Sequence, residues 1–175
     1  MESDGIPDSE KLNIRIRRMR LEDIPQVITI DQISFSLPWS ERSFRFELTQ
    51  NQNSHSWVCE LVSPDGTAKI VGMMVIWLIV DEAHIATIAV DPIYRRRSLA
   101  RRLLARGLLE LYEKGARVSY LEVRRGNTAA QRLYHEFGYK EVGIRPRYYK
   151  DNFEDAVLMT WSKIRSEHLE QLLMD

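Results

Sequence analysis

The chain has 175 residues, and its 25 Lys+Arg balance 25 Asp+Glu, so the formal net charge is zero. A length in the range of about 100–200 residues suits one domain, and a hydrophobic fraction of 44% is enough for an ordinary core. Zero net charge excludes a protein drawn to nucleic acid or anionic membrane by its global field. Any electrostatic specialisation must therefore be local.

Residues 1–11 are acidic and lack the apolar stretch of a signal peptide, so they read as a tail. Ile14 and Ile16 alternate with charged residues and predict a strand over 13–18. Leu21, Ile24, Val27, Ile28 and Ile30 give one apolar face to a helix over 21–35, with Pro25 tolerated in its first turn. Leu37-Pro38-Trp39-Ser40 breaks the chain, and Ser40 can cap a second helix over 41–49. Strands follow over 56–62, 70–80 and 83–90, the first two joined by a turn at Ser63-Pro64-Asp65-Gly66. The 70–80 run is apolar almost throughout, which predicts cover on both faces. It is too short to span a bilayer, where about 20 residues are needed.

The period then changes. Leu99, Leu103, Leu104, Leu108, Leu111 and Tyr112 recur at helical spacing until Gly115. A strand over 118–124 follows, then a helix capped by Asn127, with Ala130, Leu133, Tyr134 and Phe137 inward and Gly138 at its end. Strands over 139–144 and 156–161 flank a loop bearing Arg145, Arg147, Tyr148 and Tyr149, and 163–173 is amphipathic. The predicted fold is one mixed α/β domain over 12–163, with a C-terminal extension over 164–175. Its sheet is mostly antiparallel, with a central parallel β-α-β crossover and helices on both faces.

Three features could carry chemistry. Tyr94-Arg95-Arg96-Arg97-Ser98-Leu99-Ala100-Arg101-Arg102 follows a strand and opens a helix, whose unpaired amides can bind an anion. The alternative is a solvated basic helix start capped by Ser98. Glu122 lies on an inner strand, opposite in direction to Leu121 and Val123. Burial there would raise its pKa and make it a usable base, whereas a pair with Arg124 or Arg125, or simple exposure, would make it structural. Tyr134, His84 and Cys59 read as packed residues. The single cysteine excludes an intrachain disulfide and a cysteine-based zinc site, and the four histidines show no metal-binding spacing, so no metal is expected. A reducing, cytoplasmic compartment fits.

Taken together, Ile88-Ala89-Val90-Asp91-Pro92, Arg95-Arg96-Arg97-Ser98-Leu99-Ala100, Leu121-Glu122-Val123-Arg124, Asn127 and Leu133-Tyr134-His135-Glu136-Phe137-Gly138-Tyr139 resemble the GNAT acetyltransferases. Pro38-Trp39-Ser40 and Arg147-Tyr148-Tyr149 are similar to the ribosomal-protein-alanine N-acetyltransferase branch. The resemblance implies acetyl-CoA as donor and a protein N-terminus, a ribosomal protein's in that branch, as acceptor. It implies that Ile88, Ala89 and Val90 meet the pantetheine arm, that Arg96, Arg97, Ser98, Leu99, Ala100 and Arg101 hold the pyrophosphate, and that Asn127 bonds the cofactor. Glu122 would be the general base through water, and Tyr134 the acid at the departing thiolate. Pro38, Trp39, Tyr148 and Tyr149 would line the acceptor groove. One departure is Ser98, where the family's loop has glycine.

The residue types suit this reaction, because the attacking amine must be neutral. An α-amino group is easier to deprotonate near neutral pH than a lysine by roughly 3–4 kcal/mol. Two other readings stand beside it: a GNAT acting on a small amine or a lysine side chain, and a non-catalytic module binding CoA or RNA. Nothing in the sequence matches a known RNA-binding signature, and no membrane partner is expected.

Overall fold

The computed structural model describes residues 13–174; the acidic tail expected over 1–11 lies outside them. The described chain forms a seven-stranded sheet: β1 (Ile14–Arg18), β2 (Ser54–Val62), β3 (Ala68–Ile79), β4 (Glu82–Val90), β5 (Val118–Arg124), β6 (Lys140–Arg145) and β7 (Ala156–Trp161). The spatial order is β1-β2-β3-β4-β5-β7-β6. Every pairing is antiparallel except β4 with β5. The helices are α1 (Ile24–Ser34), α2 (Glu41–Thr49), α3 (Leu99–Glu113), α4 (Thr128–Phe137) and α5 (Ser166–Met174).

β3 shows why a continuous apolar run was needed. Val71, Met74 and Ile76 enter a core shared with α3, α4 and α5. Ile70, Met73 and Val75 enter a second core under α1 and α2. The strand's period of two, interrupted once where Val71 is an extra residue against β2, divides one sequence run between two cores. On the first face α3 buries Leu103, Leu104, Leu108 and Leu111 completely. Each such side chain contributes about 1.5–3 kcal/mol. α5 turns inward rather than away, placing Leu169 and Leu172 in the same core. Gly138 ends α4 at φ +105°, and a Cβ there would stand 2.9 Å from the Trp161 indole nitrogen, so only glycine fits.

The first helix departs from its expected span. Residues 21–23 form a separate 3-10 turn before α1. Pro25 has no amide to bond back to residue 21, and the Asp23 carboxylate accepts from the Arg20 amide at 2.7 Å instead. Asp23 also takes both guanidinium ends of Arg17, at 2.7 and 2.8 Å. Arg17 and Arg15 both pair with the buried Glu60 on β2. Burial opposes charge on Asp23 and Glu60, but the arginines outweigh it and hold both carboxyls below their usual range.

Groups with depressed pKa values in the folded state add stability above their unfolded values and lose it as pH falls. The unfolding free energy is therefore expected to fall between about pH 5 and pH 3. Asp23→Asn should make that slope shallower. Identical slopes in urea titrations of the two proteins would detach this cluster from acid sensitivity.

Candidate active site

The site begins where β4 and β5 part. They pair only at Glu82–Val118, Ala83–Ser119 and His84–Tyr120. On its other edge β4 stays joined to β3 up to Val90, and β5 stays joined to β7 up to Arg124. The β3–β4 register shifts so that Ala86 is an extra residue, a bulge that bends and twists β4. A wedge opens between the two strands. Along it, the edge of β4 that carries Ile88, Ala89 and Val90 has no strand partner among the described residues.

The basic loop lies beyond the end of β4. Tyr94 is buried, and Arg95 Nε donates to the Val90 carbonyl at 3.0 Å, so Arg95 is an anchor. Arg96 and Ser98 both adopt left-handed backbone, at φ +64° and +57°. Ser98 stands at the N-cap position of α3, but its side chain does not cap the helix; its hydroxyl instead meets Arg101 Nη2 at 3.5 Å. The side-chain cap of the alternative reading is thus not formed: at this left-handed residue the side chain makes no bond to the first-turn amides. Arg102 N is bonded to Ser98 O at 3.0 Å, which leaves the amides of Leu99, Ala100 and Arg101 at the open helix end. The Leu99 side chain is in the core, so that residue offers only its amide. Arg101 Nε is buried with no hydrogen-bond partner. The open amides, with the Arg101 guanidinium beside them at Ser98, suit an anion, so the loop fits a phosphate-bearing ligand.

Asn127 caps α4, its Oδ1 accepting from Ala130 N at 3.1 Å. Tyr134 is buried, with its ring edge-on to Tyr139 at 5.7 Å, and burial pushes its phenol well above the usual range. Glu122 differs from the buried carboxylate considered above. Its side chain is 30% exposed, and it pairs with Arg145 Nη1 at 2.6 Å rather than with Arg124 or Arg125. The reason is coverage. α1 and α2 pack on β2, β3 and β4 and leave that face of β5, β7 and β6 without a helix. Tyr120, Glu122 and Arg124 point onto this open face while Leu121 and Val123 point into the core.

Two loops close the open face. In residues 146–155, Tyr148 lies close enough to Glu122 for that carboxylate to raise its phenol, with burial adding to the rise. Burial pushes Tyr149 up to about 12, with Arg124 opposing and Glu122 adding to the rise. Tyr149 also adds electrostatically to the rise of the Tyr134 phenol. From residues 35–40, Trp39 packs on Phe44 with ring centroids 5.4 Å apart, and its amide donates to the buried Asp31 at 2.6 Å. Pro38 beside it is exposed. Burial raises the Asp31 carboxyl, with the Trp39 amide opposing. Asp31 was not singled out by sequence reasoning, and Arg145 and Arg124 were named only as a loop residue and as a possible partner of Glu122. Their partners are distant in the chain, and only the pairing of β5, β7 and β6 brings Arg145 to Glu122.

Residues 24–139 match the Acetyltransferase (GNAT) family. The chain belongs to this family of acetyltransferases. It is 43% identical over 149 residues to a Bacillus subtilis (strain 168) protein provisionally named a [ribosomal protein bS18]-alanine N-acetyltransferase, covering 85% of this chain and 95% of that one. It is 34% identical over 155 residues to the [ribosomal protein bS18]-alanine N-acetyltransferase of Escherichia coli (strain K12), covering 82% and 94%. The crystal structure of the ribosomal-protein-S18-alanine N-acetyltransferase from Escherichia coli superposes with a TM-score of 0.75 at 32% identity, covering 87% of this chain and 95% of that chain. Among the described residues no helix is long and apolar enough to cross a membrane.

The left-handed serine gives a direct test. Glycine at that φ avoids a Cβ–carbonyl contact worth about 1–2 kcal/mol and gives back part of that as chain entropy. Ser98→Gly is expected to raise the unfolding free energy by about 0.5–1 kcal/mol in urea titration. A lower stability would mean that the contact with Arg101 outweighs the strain.

Proposed function

We propose that this protein transfers the acetyl group of acetyl-CoA to the N-terminal α-amino group of a ribosomal protein, with the alanine terminus of bS18 as the first acceptor to test. The observation that carries this reading is the open strand wedge with Glu122 and the Tyr148–Tyr149 loop on its open face, the buried Tyr134 on the α4 side, and a loop suited to phosphate beyond β4. Its relatives in Bacillus subtilis and Escherichia coli are named for that acceptor.

Acetyl-CoA supplies an acyl group already activated as a thioester. The edge of β4 at Ile88, Ala89 and Val90 offers backbone groups to the pantetheine arm, and an amide there can donate to the carbonyl oxygen as negative charge develops on it. The Arg96–Ala100 turn and Arg101 receive the pyrophosphate, and Asn127 retains its side-chain amide donor. Glu122 is solvent-accessible and accepts the amine's proton through water. Tyr134, its phenol held protonated by burial, donates to the departing thiolate. Trp39 and Pro38 on one side, and Tyr148 and Tyr149 on the other, border the path of the acceptor chain.

The thiolate is a fair leaving group without help, so the base should matter more than the acid. Glu122→Gln is expected to lower kcat by about 100-fold at pH 7, and Tyr134→Phe by less. The assay is acetyl transfer to peptides beginning with Ala, Ser, Met or Gly, and to an N-blocked peptide with an internal lysine, read by mass spectrometry. Label on the free N-terminus supports the reading; label on the lysine replaces it with a side-chain transferase. Equal kcat for wild type and Glu122→Gln removes Glu122 as the base.

A further inference from the structure

We propose that Arg124 is a positioning residue that clasps the two acceptor-side loops together, so that acceptor affinity depends on it while cofactor affinity does not. This rests on the acetyltransferase reading above. Arg124 ends β5, two residues beyond Glu122 on the same face. Its Nη2 lies 3.0 Å from each oxygen of Asp151 and 3.4 Å from Ser36 Oγ. Its Nη1 lies 3.2 Å from Asn152 Oδ1 and 3.3 Å from Glu154 Oε1. The guanidinium carbon stands 3.9 Å from the centre of the Tyr149 ring. Ser36 in turn donates to Asp151, so a residue between α1 and α2 meets the β6–β7 loop directly over Arg124.

The geometry needs an arginine. A planar fork with several donors can satisfy four acceptors and still stack on a ring, whereas an ammonium is a point charge. The loop it holds would not keep this shape unaided. Arg147 and Phe153 adopt φ of +52° and +56°, where a residue with a Cβ is strained. The same segment is latched to the β5–α4 turn by Gly126 N to Glu154 at 2.7 Å and Arg125 to Asp155 at 3.0 Å, and closed on itself by Arg147 N to Asp155 at 3.0 Å. Tyr148 and Tyr149 ride on this segment, and Pro38 and Trp39 follow Ser36. Arg124 therefore acts on the acceptor through those four side chains.

The test compares wild type with Arg124→Lys, Asp151→Asn, Ser36→Ala and the Arg124→Lys/Asp151→Asn pair. Peptide KM and kcat are read together with the calorimetric Kd for acetyl-CoA. Tryptic cleavage after the exposed Arg147 and Lys150 is read separately. Arg124→Lys should raise peptide KM about tenfold, with kcat and the acetyl-CoA Kd within about threefold, and the double variant should be little worse than either single one. Cleavage in the loop should quicken about fivefold or more, ahead of global unfolding. A kcat loss at unchanged KM, a matching loss of acetyl-CoA affinity, additive single effects, or an equally resistant loop would each overturn the clasp. If Arg124→Lys fails to fold, Ser36→Ala decides, because its smaller rise in KM has the same signature. Failure of wild type to acetylate any peptide N-terminus would count against the proposed function, and the cleavage rates would still decide the clasp.

Discussion

Everything at the candidate site follows from the early end of the β4–β5 ladder. Two parallel strands inside a sheet ordinarily pair along their length, since a buried backbone group left without a partner costs about 1–3 kcal/mol. Here pairing stops after His84 and Tyr120, while both strands run on. The wedge stays open because each strand is held from its far side, β4 by β3 and β5 by β7. The bulge at Ala86 supplies the bend. An extended polar chain is what such an edge can accept, and the pantetheine arm of the proposed donor has that character. The basic loop stands beyond the end of β4, so strand edge and helix terminus address successive parts of one long ligand.

The second consequence is an unequal covering of the sheet. One face is closed by α3, α4 and α5 over every strand but the edge strand β6. The other is closed by α1 and α2 only over the half that contains β2, β3 and β4. On the uncovered half, charged side chains can sit on inner strands without the cost of full burial. Glu122 and Arg124 use that freedom, and the pair with Arg145 spans from β5 to β6 across β7. Loops replace a helix as the roof. Their polar bonds can be broken and remade as an acceptor enters, which a packed helix would not allow.

Local signals made much of the fold legible. Ser40 accepts from Ser43 N as a cap should, and α2, β5 and β7 run over the residues that spacing predicted. Gly115 and Gly138 adopt the positive φ expected of helix-ending glycines. The site was legible only as residue types. The partner of Glu122 depends on strand order, because Arg145 is 23 residues away and is brought near by β7 lying between their strands. The bulge at Ala86 has no local mark, and an alanine in an apolar strand reads as ordinary filler. Arg96 gave no sign of its left-handed backbone, since nothing in an arginine favours it. The buried Asp31 was hidden for a different reason: its carboxylate answers a backbone amide, which carries no sequence signature.

Backbone strain marks the two sides of the wedge alike. Of the non-glycine residues with positive φ, Arg96 and Ser98 lie on the basic loop after β4, and Arg147 and Phe153 on the β6–β7 loop. Each costs on the order of 1–2 kcal/mol and persists only where surrounding contacts over-determine it. On the first side those contacts are the buried Tyr94, the Arg95 bond to the Val90 carbonyl, and Leu99 in the core. On the second side they are polar and more exposed, centred on Arg124, Glu154 and Asp155. The basic loop after β4 is thus anchored by the core itself. The β6–β7 loop is fixed by hydrogen bonds open to competition from water and from an incoming chain. Ser34 and Ser36 connect the two, one touching Arg95 and the other Arg124 and Asp151. Under the proposed function, a donor seat anchored by the core and an acceptor mouth held by polar bonds, joined through the end of α1, suit a donor of constant shape and an acceptor presented by a folded protein.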